Sequence, residues 1–223
     1  TVVTAATITA TNINNQNSGL LTAGNLLTVT TTNLDNTGGK IIGVKDAVIT
    51  INNNYTHGAT DAIKAGNNLT LNTENLTNNG KLLAGNTLAV NASNITNNVA
   101  GEFNATNTHV NTTGNITNYG LIDGGNTVLK AGGNVDNLGG RIYGDNIAIQ
   151  ANTLTNTTNA AGTAGAIAAR ANLDIGVQTL TNIDGGSAST ADNALIYSAG
   201  NINIGGTLDA NNRATGSAST VNN

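Results

Sequence analysis

One short phrase recurs along the chain: a polar residue, a branched aliphatic, a variable residue, then Asn. It stands as Asn12-Ile13-Asn14-Asn15, Asn33-Leu34-Asp35-Asn36, Asn75-Leu76-Thr77-Asn78, Asn94-Ile95-Thr96-Asn97, Asn115-Ile116-Thr117-Asn118 and Asn134-Val135-Asp136-Asn137. Thr-led copies follow at Thr153 and Thr179, and the degenerate Asn54-Tyr55-Thr56-His57 fills the one gap. Successive starts lie 21, 21, 21, 19, 21, 19, 19 and 26 residues apart. A fixed period near 20 marks a solenoid, whose units bury their apolar face only by stacking on one another.

Two further apolar pieces complete each repeat. The second follows a Gly corner and supplies Leu21, Ile41, Ile63, Leu82, Phe103, Ile122 and Ile142. The third follows a Gly-Asn or Gly-Asp pair and alternates, as in Leu69-Thr70-Leu71, Leu88-Ala89-Val90 and Ile147-Ala148-Ile149. Alternation with period two, bounded by Gly and Asn, predicts strand and not helix. Such short pieces do not suit a sandwich, whose turn signals recur every roughly 8–12 residues. The pattern predicts an all-β fold, a parallel β-helix with coils of about 20 residues and three short strands per coil. Equivalent strands then pair at about 4.8 Å, and equivalent aliphatics stack into a narrow core. Asn and Gly suit the corners because both tolerate left-handed backbone, and stacked Asn amides can bond from coil to coil.

The register loosens in places. Val110 and Leu129 stand five residues before the next phrase, where most coils have four, which predicts a bulge or a longer corner. Beyond Asn156 the coils lengthen through Ala-, Gly-, Ser- and Thr-rich insertions around 160–165 and 185–192. These predict corner loops leaving the rod, the usual fate of insertions in solenoids. Residues 1–210 then form a single β-helix domain with longer loops after about 156. Residues 211–223 are expected to be an incomplete coil or a frayed tail.

Composition narrows the function. Charged residues are only 9% and aromatics 2%, yet Leu, Ile and Val recur on schedule, which argues against disorder. A net charge of −4 with eight scattered basic residues gives no footprint for nucleic acid. No apolar run approaches the roughly 18 residues of a membrane span. With Thr first and no signal peptide in view, the chain reads as a fragment of a longer one. The absence of Cys removes any disulfide framework.

The phrase Asn-Leu-x-Asn-x-Gly-Gly-x-Ile followed by Ala-Gly-Asn-x-Leu-x-Leu, clearest at 33–41, 134–142, 65–71 and 84–90, resembles the haemagglutinin repeats of two-partner-secreted exoproteins. That group includes filamentous haemagglutinin adhesins and the stalks of contact-dependent growth inhibition toxins. The likeness covers about residues 8–155 well and the remainder loosely. It implies a secreted or cell-surface protein of a Gram-negative bacterium, exported through an outer-membrane secretion partner and folded outside as a right-handed β-helix. The Asn-Pro motifs of that group's secretion domain are missing, since the chain has no Pro. An internal repeat segment is the expectation.

Candidate chemistry is sparse. The twelve acids are spread nearly one per coil, so Asp123, Asp136 and Asp145 are not expected to meet, and no catalytic, cofactor or metal residue is assigned. His57 takes the place of a corner Asn and His109 lies in a third strand, so they share no column and no metal. Asn-x-Ser/Thr triplets follow from composition and select no glycosylation site. The residue preceding the second inward aliphatic is Lys40, Ala62, Lys81, Glu102, Leu121 and Arg141 in turn, which predicts an exposed Lys81–Glu102 ion pair between coils, worth little.

The expected function is a rigid, monomeric, non-enzymatic stalk that holds an adhesive or toxin module away from the cell. A second reading makes the segment itself bind a host- or target-cell receptor or glycan. Its loops between 156 and 207 would do so, with Thr163, Gly165, Ser187, Ser189 and Asp192 as contact residues. A polysaccharide-active enzyme is a third reading, for which no acidic cleft can be assembled.

Overall fold

The computed structural model describes residues 4–184 and 193–223. Its three apolar rows are the three sides of one parallel β-solenoid, and no helix occurs among the described residues. In the first row Tyr55, Leu76, Ile95, Ile116, Val135, Leu154 and Leu180 are register partners in turn. In the second, Ile41, Ile63, Leu82, Phe103, Ile122, Ile142 and Ile167 follow one another in the same way. The third row points two residues inward per coil, such as Leu69 with Leu71 and Ile147 with Ile149. All of these are essentially sealed from water. Each contributes about 1.5–3 kcal/mol by burial, and none could do so without the coils on either side.

A further internal row is polar. The closing Asn of each phrase points inward, and its amide donates to the Asn of the next coil. Asn78 donates to Asn97, Asn97 to Asn118, Asn118 to Asn137, Asn137 to Asn156 and Asn156 to Asn182, at 2.7–2.8 Å. The second amide hydrogen closes the corner of the same coil, as from Asn137 to the Gly140 carbonyl at 2.9 Å. This pattern satisfies the buried amides, as buried polar groups require.

The corner glycines serve this row in an unexpected way. Left-handed backbone is found at Gly38 and Gly139, but at most corner glycines φ is ordinary. The need is space. A Cβ on Gly140 would lie 2.3 Å from the Asn118 amide nitrogen, and one on Gly39 would lie 1.8 Å from the Asn15 carbonyl oxygen.

His57 interrupts the row. It is fully buried, with Nε2 3.2 Å from the Lys81 carbonyl and Nδ1 3.4 Å from the Tyr55 hydroxyl. The carbonyl can only accept, so Nε2 carries the proton. Burial holds His57 below its ordinary value of 6.5, against the opposing pull of the Lys81 carbonyl and Asp61. Burial likewise raises the Tyr55 hydroxyl, with Asp61 adding to the effect. The unfolded chain takes up a proton near 6.5 that the folded chain resists, so the stabilising effect is whole above that pH and is lost as pH falls below it. His57→Asn is expected to flatten that slope by continuing the amide row from Asn36 to Asn78. Urea titrations above and below the unperturbed histidine value measure it, and an unchanged slope would contradict the placement.

The coils are not uniformly three-stranded: in the first ones the third and first strands already run together, as in Leu26–Asp35, and all three are distinct only from about Asp46 to Asn97. There the second and third strands are separate, as in Lys81–Ala84 and Thr87–Ala92. Later they fuse into Glu102–Thr112, Leu121–Ala131, Arg141–Thr157 and Ala166–Ile183. From Leu82 to Leu88 is six residues, but from Phe103 to Thr108 and from Ile122 to Thr127 only five. Ile142 to Ile147 is also five, whereas Ile167 to Leu173 is six again within an equally continuous strand, and that added residue is the register irregularity opposite Gly144/Asn146. The residue saved after Phe103 and after Ile122 reappears after Val110 and Leu129 as the longer corner before Asn115 and Asn134. Thr108 and Thr127 face inward where Leu88 and Ile147 stand, and donate to the Asp123 and Tyr143 carbonyls at 2.7 Å.

Candidate functional site

The outer face of the third row carries Ala89, His109, Val128, Ala148, Asp174 and Asn203 in consecutive coils. Outward positions of a solenoid are normally wet, yet Val128 and Ala148 are only 7% exposed. The chain beyond Asn201–Gly205 covers them. Thr207–Leu208 pairs antiparallel with Ala214–Thr215, and this ribbon lays Leu208 and Ala214 on Val128 and Ala148.

Local chemistry makes the ribbon. The Asp209 carboxylate accepts the Asn211 and Arg213 backbone N–H groups at 2.8 and 2.9 Å, which closes the tip. Asn212 turns the backbone there at φ 59°, a conformation Asn tolerates. Asp174 anchors the returning strand by accepting the Ala214 N–H at 2.9 Å and the Asn203 amide at 3.1 Å. Gly176 lets the ribbon approach, since a Cβ there would sit 2.3 Å from the Thr207 carbonyl carbon. The chain then returns to the first row, where Thr220–Asn222 pairs with Thr179 to Thr181. The segment expected to be an incomplete coil or a frayed tail thus contains half of a clasp and a seated strand.

Between ribbon tip and sheet lies a groove of about 410 Å³. Val128 and Ala148 contribute its apolar floor, and Asn107, Asn126, Asn146 and Asn172 line one side. Those four amides form a ladder, each donating to the one before at 2.9–3.1 Å. Asn126, Asn146 and Asn172 each keep one amide hydrogen and one carbonyl lone pair for another partner. Asn212 and Arg213 line the opposite side. The Asn212 side-chain oxygen is buried and accepts no hydrogen bond among the described residues. His109, at one end, is held below its ordinary value by burial and then by the charge of Lys130. The groove offers donors and acceptors around a small apolar floor, most of which Leu208 and Ala214 already cover.

The residues singled out from the sequence fall elsewhere. Thr163 is exposed on a loop closed on itself, where Thr163 and Asn159 exchange bonds of 2.8 and 3.0 Å. Gly165, expected at a partner-facing loop, is instead a buried corner whose carbonyl accepts the Asn156 amide at 3.2 Å. Ser187, Ser189 and Asp192 lie outside the described residues. Asp123, which accepts its neighbouring Gly124 N–H, and Asp145, which pairs with Arg170 at 2.8 Å, line one open depression, while Asp136 sits apart on the first row. Among the described residues no three potential metal ligands cluster. Lys81 and Glu102 do meet across coils, at 2.8 Å, and the partnership raises the Lys81 ammonium above its ordinary value.

The groove was missed because its far wall has no counterpart in the repeat. A signal was present: Thr127-Val128-Leu129 and Ile147-Ala148-Ile149 place apolar residues at outward positions in successive coils. Such a patch needs a cover. No family model, no curated protein and no solved structure matches this chain. No helix of the described residues is long and apolar enough to cross a membrane.

Proposed function

We propose that this chain is a rigid stalk segment of a large exported surface protein, presenting an adhesive or toxin module at a distance from the cell. The resemblance of its repeats to those of two-partner-secreted exoproteins supports export through an outer-membrane partner in a Gram-negative bacterium. The observation that carries the reading is the stacking of three largely aliphatic rows from coil to coil, with an internal amide row that runs from Asn78 to Asn182. Such a body transmits position along its axis and needs no other chemistry to do so.

A stalk's output is its length. Asn94 and Asn115 are equivalent, so duplicating residues 94–114 inserts one coil and lengthens the rod by about 4.8 Å, while deleting them shortens it equally. End-to-end distances from fluorophores at the two ends of the folded variants test this. Distances that do not follow coil number would defeat the reading. Saturable attachment of the isolated segment to cells would instead favour a binding module.

A further inference from the structure

We propose that copies of this chain stack end to end, the last coil of one seating the first coil of the next in a continuous solenoid. This goes beyond the stalk reading, replaces the monomeric rod that the repeats alone suggest, and stands or falls separately from that reading. The argument begins at the carboxyl end. Thr220-Val221-Asn222-Asn223 is one more copy of the recurring phrase, and the Asn182 amide donates to the Asn223 oxygen at 2.6 Å. The chain therefore closes on the same side of the rod, in the same register, on which Asn12-Ile13-Asn14-Asn15 opens it. Each bond between amides in the internal row points toward the carboxyl end, from Asn15 to Asn36 as from Asn156 to Asn182. Asn15 thus keeps a side-chain oxygen that accepts nothing among the described residues, and Asn223 keeps an amide that donates to none of them. One end of the rod lacks what the other offers.

Backbone and core are open at the same places. Among the described residues Ala5–Asn14 and Leu20–Ala23 pair only with the coil that follows, and Leu195–Ser198, Asn201–Gly205 and Thr220–Asn222 only with the coil that precedes. Such edges are usually blunted by Lys, by Pro or by a covering segment, yet none of these strands carries a charge or a Pro. The ribbon formed by Thr207–Leu208 and Ala214–Thr215 folds back along the rod onto Val128 and Ala148, away from the last edge. Ile202 stands in the column of Leu173, but is 44% exposed where Leu173 is sealed, and Ile204 and Val221 are exposed with it. Continuing the columns sets Ile202 against Ala6, Ile204 against Ile8 and Val221 against Ile13 of the next copy. The outward column that carries Lys40, Lys81, Glu102 and Arg141 within the rod ends in Leu20 and Leu195, both exposed, which become neighbours across the junction. The junction is thus a further instance of the contact already made between coils: burial of aliphatics drives it and strand pairing sets its register. Unlike ends joined in this way do not close on themselves, so the assembly is a filament and not a dimer.

The test uses the whole chain, which has no Cys of its own. Sedimentation and small-angle scattering from about 1 μM to about 1 mM are expected to show mass and length rising with concentration at a constant cross-section. Partners on paired strands lie about 4.8 Å apart, within the Cα separation of about 4.4–6.8 Å that a disulfide bridges. Leu20→Cys and Leu195→Cys, both at exposed outward positions, therefore read the orientation. A chain carrying both should oxidise to a ladder of multiples. A mixture of the two single variants should give a mixed dimer, and neither single variant should cross-link readily alone. Leu20→Lys with Leu195→Lys sets like charges side by side and should raise the concentration for half-association about tenfold, while Leu20→Lys with Leu195→Glu should restore it. Circular dichroism of each variant verifies the fold. The proposal is overturned if the chain stays monomeric at about 1 mM, or if either single cysteine variant cross-links by itself as readily as the mixture does. It is equally overturned if the Lys–Glu pair associates no better than the Lys–Lys pair.

Discussion

Asn118→Ala lowers the unfolding free energy by about 4 kcal/mol, although it removes only a side-chain amide. The expectation comes from accounting for each bond in the internal row. Asn118 donates to the Asn137 oxygen at 2.8 Å and to the Gly120 carbonyl at 3.2 Å, and accepts from Asn97 at 2.8 Å. Removing it strands the Asn137 oxygen in a dry interior, which costs about 1–3 kcal/mol, and loses further bonds worth about 0.5–1.5 kcal/mol each. Asn111→Ala is the comparison. Its amide bonds to Asn91 at 3.0 Å on the outward side, where water can replace the partner, so the cost stays within about 1 kcal/mol. Urea unfolding followed by circular dichroism measures both. Similar costs for the two would mean that the internal row is wet or dispensable.

The contrast between those two asparagines marks where the sequence could and could not be read. Periodicity fixes which residues stack, because equivalent positions recur about 20 apart, and the three aliphatic rows and the Lys81–Glu102 pair lie where the spacing puts them. Asn115 and Asn118 belong to the same phrase, and spacing alone does not say which amide turns inward. Period two settles it: Ile116 is buried, so Asn118 two residues on is buried as well. Corner glycines were legible as corners but not in their physical role, because crowding by an amide from the neighbouring coil is a contact between residues about 20 apart. Gly165 shows the consequence, since a residue that reads as loop is locked beneath Asn156. The candidate groove was the least legible part. Its ribbon is antiparallel, two residues per strand, and outside the repeat, so only the unexplained apolar residues Val128 and Ala148 hinted that something lay over them.

Phe103→Ala is expected to cost about 4 kcal/mol, within the range for removing a buried aromatic ring. Phe103 is the only Phe in the chain, is fully buried, and lies in the second row between Leu82 and Ile122. Its bulk answers a shortage inside its own coil. Where the coil below has Leu82 and Leu88 at its inward positions, this one has Phe103 and the smaller Thr108, so the ring is the largest apolar side chain its coil turns inward. Truncation therefore opens a cavity that Thr108 cannot fill, because its hydroxyl is tied to the Asp123 carbonyl at 2.7 Å. The paired exchange Phe103→Leu with Thr108→Val follows the same logic. Each change alone costs more than their combination predicts, since the valine restores apolar volume where the ring withdrew it. Each coil touches only its neighbours, so hydrogen exchange in Phe103→Ala should quicken first in the strands around Leu82 and Ile122 while the first coils stay protected. A cost below about 1 kcal/mol, or uniform acceleration along the chain, would mean that the stack does not depend on close packing at this coil.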